Sequence, residues 1–160
     1  MGSPLPISIQ STELRLTDVK TRLPFRFGGA ILNAAPLATL RVVIRTDDGE
    51  DAEGFSSDLL VPKWFEKDPA KSARDDVISL LASIERATTA WKKVTATPAP
   101  VFAAWREAYS KCVGGFDPTD TSALVRSFGV SLLERALMDA TCRAADISFH
   151  GALRADLFGF

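Results

Sequence analysis

The chain has 160 residues, 46% of them hydrophobic and 24% charged, with a net charge of −1. That length fits one domain with a sizeable core, and so small a charge argues against bulk attraction to nucleic acid or anionic lipid, leaving room only for a local basic patch. No apolar run approaches the roughly 20 residues of a membrane helix; MGSPLPISIQ lacks the features of a signal peptide; and the two cysteines, Cys112 and Cys142, share no metal-ligand spacing. The expectation is a soluble protein of the reducing cytoplasm, binding neither nucleic acid nor membrane.

Ile7 to Leu16, ISIQSTELRL, alternates apolar and polar residues and predicts a half-buried strand. LPFRFGGAILNAAP, Leu23 to Pro36, carries two prolines, a Gly pair and large apolar side chains, and is read as a loop because periodicity breaks at Gly28-Gly29. Such a loop either folds onto its own sheet, the favoured reading, or serves as a flap over a ligand. Leu37 to Thr46, β-branched and apolar almost throughout, is the clearest strand. Asp47-Asp48-Gly49 predicts a hairpin turn, since Asp-Gly tolerates the positive φ required. The acidic run there lacks the ligand spacing of a calcium loop. Ala52 to Leu60 returns as a third strand, in which Gly54 marks a bulge or a close backbone approach.

The pattern then changes period. Val61 to Pro69 is a connection carrying Trp64 and Phe65. Ala73 to Trp91 places Val77, Leu80, Leu81, Ile84 and Ala87 at helical spacing, with Asp75 and Asp76 at the start and Lys92 and Lys93 beyond the end. After the break at Thr97 to Pro100, Val101 to Cys112 predicts a second helix, whose stripe of Phe102, Trp105 and Tyr109 is read as core. Gly114 to Thr121 is read as a loop, and Ala123 to Phe128 opens a third helical region.

Val130 to Ala145, VSLLERALMDATCRAA, is an amphipathic, Ala-rich helix against which a neighbouring backbone can come close. Ser131 and Glu134 are spaced as a capping box, with Gly129 interrupting what precedes. This helix needs a large apolar partner, of which the rest of the chain is expected to supply only part. Asp139 is expected to accept hydrogen bonds from loop backbone or to pair with an Arg, and Cys142 to act as a small buried hydrophobe. A short last helix follows, and Leu157-Phe158-Gly159-Phe160 is too apolar for a frayed terminus, predicting that the natural protein continues. Strands first and helices afterwards define an α+β fold: a three-stranded antiparallel meander followed by a bundle of three to four helices.

Chemistry-bearing motifs are few. His150 has no Ser or Cys partner in a triad setting, and no glycine-rich phosphate loop or paired zinc histidines occur. Glu134 and Asp139 lie about 500° apart around a helix of 3.6 residues per turn and do not form an acid–base pair. No catalytic residue and no metal ligand is assigned.

RVVIRTDDGEDAEGFSS, Arg41 to Ser57, and FGVSLLERALMDATCRAADISFHGAL, Phe128 to Leu153, together resemble the N-terminal capping domain of the enolase superfamily, in its mandelate racemase and muconate lactonizing branch. The first is similar to that family's strand, Asp-Gly turn and strand, with Glu53 standing where Gly or Trp is more usual. The second resembles its helix of spaced alanines closed by an Asp, through Ala136, Asp139 and Ala140. The resemblance covers nearly the whole chain and implies that residues 1–160 are a capping domain whose following barrel is absent.

It further implies that catalytic bases and Mg²⁺-holding carboxylates sit on the barrel, so that this chain alone has no cofactor and no turnover. The cap would supply two loops over the barrel mouth, by position Pro24 to Ala34 and Phe55 to Trp64. Phe25, Arg26, Phe27, Gly28, Gly29, Ser56 and Ser57 would touch a small carboxylate substrate, with Arg26 pairing a substrate anion or a barrel carboxylate. The implied partners are the chain's own barrel and, through an uncovered face, further copies of itself. A free-standing α+β module that binds a partner without chemistry is the alternative.

Overall fold

The computed structural model describes residues 3–114 and 121–160. Three strands, β1 (Ile7–Phe27), β2 (Ala30–Thr46) and β3 (Asp51–Leu59), form one antiparallel sheet in the order β1-β2-β3. They precede four helices among the described residues: α1 (Ala73–Val94), α2 (Val101–Val113), α3 (Ala123–Ala144) and α4 (Phe149–Arg154). The α+β meander-then-helices architecture is the predicted one. The predicted loop at Gly114 to Thr121 lies mostly outside the described residues.

The sheet buries one face. Along β2 the period-two alternation turns Ala38, Leu40, Val42 and Ile44 inward and leaves Thr39, Arg41 and Arg45 outward. The outward face is laced by cross-strand ion pairs, Arg41 to Glu53 and Arg45 to Asp51, each at 2.7 Å. Against the inward face lie Leu80, Ile84 and Trp91 of α1 and Leu132, Leu133, Ala136, Leu137 and Ala140 of α3, none more than 2% exposed. The apolar stripe of α3 is thus covered within this chain, contrary to the expectation that it would be covered only in part. Cys142 is buried, as predicted, and burial pushes its thiol pKa up.

Two glycines let the layers meet. A Cβ on Gly54 would stand 2.7 Å from the Ala140 Cα and closer still to the Ala136 carbonyl and Ala140 amide, so β3 lies directly on the α3 backbone. The predicted close approach is therefore real, and two bonds hold it. The Phe55 N–H donates to Asp139 Oδ2 at 2.9 Å, and the Ser56 hydroxyl donates to the Leu132 carbonyl at 2.7 Å. Asp139 also accepts from Arg143 Nε at 3.0 Å, the expected Arg partner, while its backbone donor belongs to a strand and not to a loop.

The predicted capping box at Ser131 and Glu134 is not formed. α3 begins eight residues earlier in the chain, at Ala123, where the Ser122 hydroxyl accepts the Val125 N–H. Gly129 does not interrupt the helix; it removes the side chain that would strike Ser83 and Ile84 of α1, and its N–H reaches Ser83 Oγ at 3.0 Å. Glu134 is consequently mid-helix and half-buried against Trp105, and burial raises its pKa above the usual carboxylate value, opposed by Arg135 and the Trp105 indole. Tertiary packing has outweighed a local helix-breaking signal.

The chain ends are tied together. Ile7 exchanges backbone bonds with Ala99 at 3.0 and 3.1 Å, and the Leu5 N–H donates to the Leu157 carbonyl. Phe158 is fully buried, while Phe160 stays 60% exposed with its ring 5.1 Å from Phe102.

Candidate functional site

The stretch read as a loop, Leu23 to Pro36, is a β-hairpin. β3 pairs with β2 only as far as Leu37, opposite Leu59, but the β1–β2 ladder continues alone to Phe27 opposite Ala30. Gly28, at φ +53°, with Gly29 makes a two-residue turn, which is why the Gly pair joins strands instead of breaking them. The strand pattern is hard to see because the ladder slips between Lys20 and Phe25, where the Thr21 hydroxyl reaches the Leu32 and Asn33 carbonyls at 3.2 Å. Alternation then aims Phe25 and Phe27 to one side and Arg26 to the other.

A second segment, residues 60–72, rises to meet this tip. Lys63 holds its turn in the left-handed region, at φ +63°, a conformation costing a non-glycine residue about 1 kcal/mol or more. The surroundings hold it there. Its N–H donates to Asp76 Oδ2 at 3.0 Å, and its ammonium donates to the Asp68 and Lys71 carbonyls at 2.8 and 2.6 Å. Asp76 is buried in the first turn of α1, 3.2 Å from the same ammonium. That turn is fixed by a capping box between Ser72 and Asp75. Glu66 lies in the connection between the Lys63 turn and α1; burial pushes its pKa up, but the Lys67 and Asp68 N–H groups and Lys71 outweigh this and hold it below the usual value.

So anchored, Trp64 meets Phe27 edge-to-face with ring centroids 5.0 Å apart, and Phe27 stacks on Phe25 at 6.0 Å. A groove of about 760 Å³ opens beside them, lined by Phe27, Gly28, Gly29, Lys63, Trp64 and Lys67 among others. A smaller one of about 360 Å³ lies between Phe25, Leu32 and Trp64. An apolar floor with Lys67 at its edge suits a small molecule that has an apolar body and an anionic end.

Of the residues named from sequence, Phe25, Phe27, Gly28 and Gly29 come together here. Arg26 is exposed on the opposite side of its strand. Ser56 and Ser57 line neither groove: Ser56 is turned inward onto α3, and the Ser57 hydroxyl lies 2.9 Å from that of Thr39 on the outer sheet face. Sequence reasoning did not assign Lys63, Lys67 or Asp76 to the site. An exposed Trp in a short connection just before a capped helix was the available signal. No group of three His, Cys, Asp or Glu side chains suited to a metal ion occurs among the described residues.

A strand-first, helix-second domain with two converging loops defines the class, and comparison with solved structures specifies the fold. An enolase from the alpha-proteobacterium BAL199, with bound magnesium, is matched at a TM-score of 0.51 and 17% identity, over 92% of this chain and 34% of that one. A mandelate racemase/muconate lactonizing protein from Herpetosiphon aurantiacus is matched at 15% identity over 87% of this chain and 31% of the other, with a TM-score of 0.38. The first match gives the chain the enolase N-terminal domain fold. The chain spans about a third of the length of each of these structures. No sequence family and no curated protein matches it.

Proposed function

We propose that residues 1–160 are the substrate-capping domain of a Mg²⁺-dependent enzyme of the enolase superfamily, one that abstracts a proton α to a carboxylate. The racemase, dehydratase and cycloisomerase reactions of the mandelate racemase and muconate lactonizing branch share this step. One observation carries the reading: two segments distant in sequence meet at the Phe27–Trp64 contact and frame an apolar groove. The chain's share of its structural neighbours' length, and the magnesium bound in one of them, support a following barrel that holds the metal and the bases.

In this division of labour the cap supplies walls. Phe25, Phe27 and Trp64 exclude water from the reacting centre, and the Gly28-Gly29 turn lets the hairpin tip close. Lys67 at the groove and Arg26 on the other side of the hairpin offer positive charge to the carboxylate or to its counterpart on the barrel, while the Lys63 ammonium is committed to Asp68, Lys71 and Asp76. Ser57, on β3 and outside both grooves, remains a candidate contact, whereas the Ser56 hydroxyl is committed to α3.

The test uses the full natural gene product in D₂O with Mg²⁺ and a panel of α-substituted carboxylic acids, reading α-proton exchange. Exchange is expected, with Phe27→Ala and Trp64→Ala each changing the relative kcat/KM between substrates of different distal size. Residues 1–160 alone are expected to exchange nothing. A gene product that ends without a barrel, or exchange by 1–160 alone, would overturn the reading, the former in favour of a free-standing binding module.

A further inference from the structure

The outer edge of β1 is open along the body of the domain. Its first residues are covered: Ile7 pairs with Ala99, and the Ile9 N–H donates to Thr95 Oγ1. The ladder to β2 then slips between Ile9 and Ser11 and runs without a break from Ser11 to Lys20. This run, STELRLTDVK, contains no Pro or Gly, and among the described residues no other element donates to or accepts from its outer backbone. A long, regular edge of this kind is a template for a further strand. β3, the other edge, is closed by Asp139 of α3.

We propose that a second copy of this chain occupies that edge, pairing antiparallel through Ser11 to Thr17 about a two-fold axis at Leu14 to give a continuous six-stranded sheet. A two-fold normal to the sheet keeps each face on its own side, so residue i meets residue 28 − i of the second copy. That register sets Glu13 opposite Arg15 twice and Ser11 opposite Thr17 twice on the outer face, and Leu14 opposite Leu14 and Thr12 opposite Leu16 on the inner face. Slipping by two positions in either direction would place Glu13 on Glu13 or Arg15 on Arg15, which like-charge repulsion disfavours. The charges therefore favour this register over its two nearest neighbours that keep the same faces.

The remaining geometry agrees. Arg15 and Glu13 already pair at 2.7 Å along one strand, so the dimer assembles four alternating charges from groups held in place. The slip at Gln10 ends the pairing one residue past Ser11, and by symmetry at both ends. On the inner face a groove of about 550 Å³ runs between β1 and α1, lined by Thr12, Leu14, Ile78 and Leu81. Leu14, Leu16 and Ile78 on this side are 38%, 51% and 52% exposed. Leu16 of the second copy, opposite Thr12, fills that groove.

Analytical ultracentrifugation of residues 1–160 is expected to show a dimer at micromolar concentration. Arg15→Glu, at a side chain 76% exposed, should leave the circular dichroism spectrum unchanged and raise the dissociation constant by at least about tenfold. The double swap Glu13→Arg/Arg15→Glu should restore it. Leu14→Cys in a Cys112→Ser background should form a reducible covalent dimer on mild oxidation, since directly opposite Cα atoms lie within disulfide reach. A monomeric wild type, a dimer indifferent to Arg15→Glu, or failure of the double swap would each overturn the proposal.

Discussion

Replacing Gly54 by alanine should be among the most damaging single-methyl changes in this protein. The new Cβ would come within 2.7 Å of the Ala140 Cα and nearer still to two polar backbone atoms of α3, none of which can rotate aside. β3 would have to lift by roughly 1 Å to reach ordinary contact, and such overpacking costs about 1–3 kcal/mol. Lifting β3 also stretches the Phe55 N–H bond to Asp139 and the Ser56 bond to Leu132, at 2.9 and 2.7 Å, each worth about 1 kcal/mol. Relief of glycine's backbone entropy returns roughly 0.5–1 kcal/mol. The net loss is about 3 kcal/mol, which in a domain of this size lowers Tm by roughly 6–12 °C. Thermal melting followed by circular dichroism, with a urea titration alongside, reads both quantities. A Gly54→Ala protein melting within about 2 °C of wild type would refute the argument that β3 rests on the α3 backbone.

Three further outcomes are expected. Leu137→Asp would bury an unpaired charge at a position with no exposure, a loss of about 5 kcal/mol or more that should abolish the cooperative melt. Asp139→Ala should cost about 1 kcal/mol through the lost Phe55 and Arg143 bonds, and Asp139→Asn, which keeps an acceptor, should cost less in urea midpoint. Burial raises the pKa of Glu134 above that of an exposed glutamate, so the folded state holds that proton more tightly than the unfolded chain does. Its stabilisation is therefore complete below the unfolded value and is lost as pH rises through the folded one. Glu134→Gln should remove that slope from urea midpoints measured across the window.

Much of the core was legible because its signals are local and periodic. The alternation along Leu37 to Thr46, the Asp48-Gly49 turn and the apolar spacing from Val77 to Ala87 each report a single element facing one way. The hairpin tip was not, because its ladder slips between Lys20 and Phe25 and puts a proline at residue 24 inside a strand. Gly28-Gly29 carries the same letters whether it ends a strand or joins two. Gly129 was misread for a related reason: what demands a glycine there is the α1 backbone at Ser83, some 46 residues away. For the candidate site, the aromatics of the first segment could be named from sequence, but the left-handed Lys63 turn and its buried Asp76 partner emerge only once α1 is in place.

The way α3 closes the free edge of β3 has a consequence for synthesis. Asp139 lies 84 residues after Phe55, and Leu132 lies 76 after Ser56. At about 5–20 residues per second, a nascent chain waits roughly 4–17 s between making the third strand and making the groups that seal it. Until then the meander leaves the ribosome with both flanks open, the interval in which strand-to-strand misassociation competes with folding.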